Sequence, residues 1–302
     1  MRTRDEIIAR INQLRQERDA VILAHNYQRS EIQDLADFTG DSLELARRCT
    51  QVDRSLIVFC GVDFMAESAA VLNPDKTVLL PARRAHCPMA AMATAEAVRA
   101  RRQEYPDAAV CSYVNTSAAV KAESDICCTS ANGVRIVQAL PQRRVIFVPD
   151  KNLGHYVSTQ TDKEIILWAG FCVVHERLTL EEVEAARREH PGAELIVHPE
   201  CRPEVVAAAD AVLSTSGMMR HVRESSAAEF IVGTEMGMLH PLQKQCPEKR
   251  FYPAAPHMTC QNMKRNTLEN LLEALERNQH VVTVPEDVRL RAKAALDRML
   301  AV

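Results

Sequence analysis

The 302-residue sequence has no CxxC pair, no concentrated basic segment and only nine glycines. It also has no apolar run near the roughly 20 residues that a membrane-spanning helix needs. Each absence removes a class of protein. Without closely paired cysteines there is no zinc-ribbon or thioredoxin-like motif, and the one close pair, Cys127 and Cys128, is simply adjacent. A net charge of −3 gives no reason to expect nucleic acid or an anionic membrane as partner. The segment "GVDFMAESAAVLNPDK" lacks the spacing of a phosphate-binding Walker loop, so no nucleotide or flavin motif is found. The opening "MRTRDEIIARINQLRQERDA" is charged and amphipathic, unlike a signal peptide, and a cytoplasmic location is expected.

What remains is an ordinary globular composition, 47% hydrophobic and 25% charged, long enough for one large domain or two to three small ones. The ten cysteines read as reduced thiols in that compartment. Cys60 in "SLIVFCG" and Cys111 in "AAVCSYV" sit in strand-like runs, where a cysteine is a small buried hydrophobe.

The informative feature is internal repetition. Three eighteen-residue segments align: "HNYQRSEIQDLADFTGDS" (25–42), "YVNTSAAVKAESDICCTS" (113–130) and "HPECRPEVVAAADAVLST" (198–215), offset by 88 and 85 residues. Each follows an apolar strand, contains a helical stretch and an acidic residue (Asp37, Asp125, Asp210), and ends in a hydroxyl. Apolar strands through Val58, Ile146 and Ile231, and later through Leu79, Leu167 and Tyr252, keep the same offsets. Cys87, Cys172 and Cys260 follow in register, each seven residues before a threonine that opens an amphipathic helix (Thr94, Thr179, Thr267).

Each unit reads strand, helix, strand, helix, strand, which implies parallel sheets covered by helices on both faces. The expected architecture is α/β: three similar αβα layers about a pseudo-threefold axis, spanning 1–88, 89–173 and 174–264. The first helix is expected at about Arg4 to Arg18, and 265–302 is expected to pack back on the first unit.

Ligands of open α/β sheets bind beyond the carboxyl ends of the strands. Position one of the motif (His25, Tyr113, His198), position three (Tyr27, Asn115, Glu200) and position eighteen (Ser42, Ser130, Thr215) lie there. Taken singly, each hydroxyl reads as a helix N-cap, His198 as a strand-end histidine and Tyr113 as a core residue. Their shared register favours one common cavity. His, Tyr and Glu supply proton transfer, and hydroxyls at helix N-termini suit carboxylates or phosphate. Glu200 is the best candidate base, with partial burial expected to tune its pKa. Three cysteines at one axis would hold either zinc with an open position or a [4Fe–4S] cluster lacking a fourth protein ligand, and spacing does not decide between them.

These residues resemble the quinolinate synthase family of NAD biosynthesis over nearly the whole chain. The resemblance is carried by "HNYQ", "GDSLELAR", "FCGVDFMAESA", "YVNTSAAVKAESDICCTS", "HPEC", "STSGM", "VGTEMGM" and "CQNMKRNTLENLL". It implies a transferase that condenses iminoaspartate with dihydroxyacetone phosphate to quinolinate, phosphate and water. It also implies a functional link to the L-aspartate-oxidising enzyme that supplies iminoaspartate. The cofactor implied is one [4Fe–4S] cluster on Cys87, Cys172 and Cys260, with an open iron acting as Lewis acid. The resemblance further implies substrate binding by His25, Ser42, Tyr113, Asn115, Ser130, His198, Glu200 and Thr215, and catalytic roles for Glu200, Tyr27 and His198. Some members carry three closely spaced cysteines near the C-terminus; this chain has only Cys260 there. The alternatives are another open-iron hydro-lyase, which needs no phosphate site, and an iron–sulfur sensor, which needs a DNA- or partner-binding segment that the sequence does not offer.

Overall fold

In the computed structural model, which describes residues 2–302, the twelve strands form three separate four-stranded sheets, every pairing parallel. The first holds β1 (Ala20–His25), β2 (Phe38–Gly40), β3 (Leu56–Cys60) and β4 (Thr77–Leu79). The second holds β5 (Ala109–Tyr113), β6 (Ile126–Cys128), β7 (Arg144–Val148) and β8 (Glu164–Leu167). The third holds β9 (Glu194–Val197), β10 (Ala211–Val212), β11 (Glu229–Gly233) and β12 (Arg250–Pro253). The spatial orders are β2-β1-β3-β4, β6-β5-β7-β8 and β10-β9-β11-β12, one topology used three times. Parallel neighbours require crossover helices, which cover both faces and explain the unbroken apolar runs "AVILA" and "LIVFC".

The sequence reading expects three strands per unit and the fold has four. The addition is β2, β6 or β10, lying inside the eighteen-residue motif. Strands of two or three residues carry no readable alternation. The motif's acidic residue pins each of them to its neighbour. The N–H groups of Ile22, Val110 and Leu195 donate to Asp37, Asp125 and Asp210 at 2.8, 2.7 and 2.7 Å. An arginine from the preceding helix meets each carboxylate: Arg15 at 3.1 Å, Arg102 at 3.0 Å and Arg187 at 2.8 Å. The three aspartates are therefore framework.

The three threonines cap their helices as expected. Thr94, Thr179 and Thr267 accept from Ala97, Glu182 and Asn270 N–H at 3.2 to 3.3 Å, each cap contributing about 1 kcal/mol. The first helix, Arg4–Glu17, buries Ile7, Ile11 and Leu14 against the first sheet, together with Leu271, Leu272 and Leu275 of helix Leu268–Arg277. The last helix, Glu286–Ala301, buries Ala292, Ala295, Leu296 and Met299 in a core that the first and second sheets share. Its Arg291 pairs with Glu123 at 2.9 Å. The third sheet has separate cores on its two faces. Among the described residues no helix is long and apolar enough to cross a membrane.

Candidate active site

With strand order 2-1-3-4, the chain leaves the sheet in opposite directions after its first and third strands, opening a crevice at their carboxyl ends. His25 and Tyr113 end β1 and β5, and His198 follows β9 directly. The three crevices face one another. One cavity of about 70 Å³ is lined by all nine polar side chains of motif positions one, three and eighteen, and by Cys87, Cys172 and Cys260.

Position eighteen is not the cap. Asp41 and Ser214, one residue earlier, cap the helices Ser42–Gln51 and Thr215–Glu224. In the second unit Thr129 fills the equivalent place, its N–H donating to Asn132 Oδ1 at 2.7 Å. Ser42 and Thr215, the first residues of their helices, and Ser130, in the turn before helix Gly133–Ala139, therefore line the cavity instead of capping.

The histidines are held as fixed tautomers. His25 Nδ1 accepts the Tyr27 N–H at 3.1 Å and His198 Nδ1 accepts the Glu200 N–H at 3.3 Å, so each proton sits on Nε2. His198 Nε2 donates to Ser130 Oγ at 3.1 Å. Burial drives both imidazoles down to about 3, keeping them neutral.

Glu200, 3% exposed, lies in a chain of hydrogen bonds between two tyrosines of different units. Tyr113 Oη donates to Glu200 Oε1 at 2.6 Å, and His175 Nδ1 contacts Oε2 at 2.7 Å. On its other side His175 Nε2 meets Thr234 Oγ1 at 2.8 Å, which meets Tyr27 Oη at 2.6 Å. Donors and acceptors are satisfied along the whole line when Glu200 is ionised and His175 neutral. Burial alone would raise the Glu200 carboxyl. The facing His198 and His175, with the hydrogen bonds from His175 and Tyr113, outweigh it and hold the group below the usual carboxylate range. The expectation of partial burial is corrected: Glu200 is buried, and both of its oxygens are bonded. The tyrosine hydroxyls move the other way, raised by burial and by the Glu200 charge, and stay protonated donors.

Each cysteine sits on a loop after the fourth strand of its sheet, three residues before a 3₁₀ turn (Ala90–Met92, His175–Arg177, Met263–Arg265). Burial raises all three thiols, Cys87 to about 12, while the N–H groups of Ala90, His175 and Met263 lean on the sulfurs and lower them. A carboxylate after each third strand holds the cysteine's own peptide N–H. Asp63 accepts from Cys87 at 3.1 Å, Asp150 from Cys172 at 3.0 Å and Glu235 from Cys260 at 3.0 Å. Among the described residues, the three donor side chains with atoms within 4.8 Å of one another are Cys172, His175 and Glu200. The three sulfurs are more widely spread than the roughly 3.8 Å that tetrahedral zinc at 2.3 Å bonds imposes. A donor set of three spread thiols around a partly apolar cavity fits a cluster better than one ion.

Sequence reasoning missed His175, Thr234 and the three carboxylates. The carboxylates left a signal, offsets of 87 and 85 residues with a cysteine 22 to 25 residues later. His175 left none, because Ala90 and Met263 occupy its places in the other units. Asn115 Oδ1 is buried in the cavity wall without a hydrogen-bond partner, an acceptor awaiting a donor.

The family model described as Quinolinate synthetase A protein matches residues 9–301. The quinolinate synthase of Methanoregula boonei is 56% identical over 291 residues, covering 96% of each chain. That of Desulforudis audaxviator is 54% identical over 298 residues, 98% of each chain. That of Thermodesulfovibrio yellowstonii is 54% identical over 300 residues, covering 99% of this chain and 98% of its own.

Proposed function

The chain belongs to the Quinolinate synthetase A protein family, and from that premise we propose that it condenses iminoaspartate with dihydroxyacetone phosphate. The products are quinolinate, phosphate and water. The observation that carries this reading is the convergence of three cysteines and nine proton-moving or anion-binding side chains on one cavity.

Cys87, Cys172 and Cys260 would hold a [4Fe–4S] cluster, which when bound supplies an open iron as Lewis acid for a carboxylate, a nitrogen or a departing hydroxyl. The chain's own residues do the rest. Ring formation needs a carbon acidified by the neighbouring imine to lose a proton and displace phosphate in a new carbon–carbon bond, a carbon–nitrogen bond to form with loss of one water, and a hydroxyl to leave with a ring proton as a second water. Tyr27 Oη faces the cavity and is the entry point for such protons. As Tyr27 accepts one, its own passes to Thr234 Oγ1 and the Thr234 proton to His175 Nε2. The ionised Glu200 balances the imidazolium, the logic of an oriented base. Tyr113, bonded to the other oxygen of Glu200, returns a proton from the opposite side.

Ser42 and Thr215, which open their helices, and Ser130, in the turn before Gly133–Ala139, bind the carboxylates and phosphate through their hydroxyls. Neutral His25 and His198 donate through Nε2. The orphaned Asn115 Oδ1 accepts a hydrogen bond from the substrate's N–H.

The deciding experiment is anaerobic purification with iron and sulfide analysis, followed by a quinolinate assay with both substrates. About four irons and four sulfides per chain and formation of quinolinate are expected. Fully loaded protein that forms no quinolinate would overturn the activity. One zinc per chain would overturn the cofactor.

A further inference from the structure

Five residues beyond position eighteen of each repeat stands an arginine: Arg47, Arg135 and Arg220, offset by 88 and 85 residues like the site itself. All three are exposed, and none has a carboxylate oxygen within 4.0 Å among the described ion pairs. They meet in a second cavity of about 680 Å³, which Arg223 also lines. That cavity lies across a thin wall from the inner one. Asp41 lines both, and Asn26, Ala131 and Ser214 face outward where their neighbours His25, Ser130 and Thr215 face inward. Two hydrogen bonds close the wall between the first and third repeats, Asn26 Nδ2 to Thr215 Oγ1 at 3.0 Å and Ser216 to Asp41.

Three guanidiniums without an ion-pair partner thus stand in repeat register around one concave vestibule. Framework arginines of the same repeats, Arg15, Arg102 and Arg187, each have a partner. Two acids face the vestibule. Asp41 is engaged by the Leu43 and Glu44 N–H groups, and Glu44 by the Asp41 N–H, leaving the positive charge in excess. A cleft lined by one sign of charge concentrates ions of the other, and guanidinium forks match carboxylate and phosphate oxygens. The inner cavity has room for only about five waters, so the larger outer cavity is the roomier place for a hydrated dianion to collect.

We propose that Arg47, Arg135 and Arg220 form an outer anion-binding site that collects dianionic oxyacids before they enter the inner cavity. That these anions are a phosphate monoester and a dicarboxylate rests on the proposed reaction. The site itself does not depend on that identity.

The test uses the loaded enzyme and inorganic phosphate as probe, with calorimetric binding at low and high salt. Arg47→Gln/Arg135→Gln/Arg220→Gln is expected to weaken salt-sensitive phosphate binding about tenfold. The difference should vanish above about 0.3 M salt, where screening is short-ranged. In turnover the same variant should raise KM for both anionic substrates several-fold and leave kcat unchanged, and the triple Lys variant should recover most of the loss. Succinate in place of phosphate tells a general dianion site from one selective for phosphate oxygens, and binding of neither overturns the proposal. Unchanged phosphate affinity in the Gln variant, or lower kcat at unchanged KM, also overturns it. Because phosphate binding is read directly, the outer site can stand when quinolinate formation fails, and can fall when it succeeds.

Discussion

His175 Nδ1 lies 2.7 Å from Glu200 Oε2, and each side chain is at most 4% exposed. His175 stands on the 3₁₀ turn after β8 and Glu200 on the loop after β9, and their contact joins Tyr27 to Tyr113 through a continuous line of hydrogen bonds. Removing the charge of Glu200 while keeping its shape tests that line first. Glu200→Gln should still bind substrate but lose roughly 100-fold or more in turnover, the usual size of an acid/base contribution. Turnover near that of the unmodified enzyme, with a lowered melting temperature, would instead make Glu200 a stabilising partner of the histidines.

Thr234 tests the relay without altering the cavity wall. Thr234→Val removes the hydroxyl between Tyr27 and His175, and the expected result is a drop in kcat of about tenfold or more with KM held. The unpaired His175 Nε2 and Tyr27 Oη should also cost about 1–3 kcal/mol of stability. Thr234→Ser restores the hydroxyl and should recover turnover. Equal kcat in the Val and Ser variants would show that no proton passes this way.

The cysteines separate by register. Cys87→Ala, Cys172→Ala and Cys260→Ala should each abolish bound iron, whereas Cys49→Ala and Cys246→Ala, at buried places outside the cavity, should retain it. Asp150 should follow Cys172 in part, because it holds the Cys172 N–H at 3.0 Å and caps Leu153 N–H at 2.8 Å. Asp150→Ala should lower iron content and change the electron paramagnetic resonance signal. Asp150→Asn, which retains an acceptor oxygen, should restore most of both. An unchanged signal in Asp150→Ala would leave the carboxylate with a capping role only.

The buried histidines make the metal-free chain acid-sensitive. His25 and His198 fall from the ordinary 6.5 to about 3 on folding because burial disfavours the cation. Between those values the unfolded chain binds more protons, so stability declines as pH drops from about 6.5 toward 3. The slope is up to about 1.4 kcal/mol per pH unit for each histidine. Melting temperature measured against pH should show this decline, and His198→Gln should flatten it. A flat profile in the unmodified chain would contradict the burial of neutral imidazoles.

How much of this was written in the chain depends on the kind of information. The offsets of 88 and 85 residues placed twelve side chains on equivalent loops, and equivalent loops of a threefold repeat converge. The parallel sheets and the Thr94, Thr179 and Thr267 caps were legible because strand runs and helix starts are local patterns. The short strands β2, β6 and β10 were not, being too brief to alternate. Tertiary structure alone decided that His175 reaches Glu200 and that Thr234 bridges to Tyr27, since neither has a counterpart in the other repeats. It also decided that Glu200 is an anion. A carboxyl's charge depends on what its neighbours donate once water is gone, and those neighbours lie 25 to 87 residues away in sequence. Periodicity sets which face a residue takes; the packing of one sheet against another sets what it meets there.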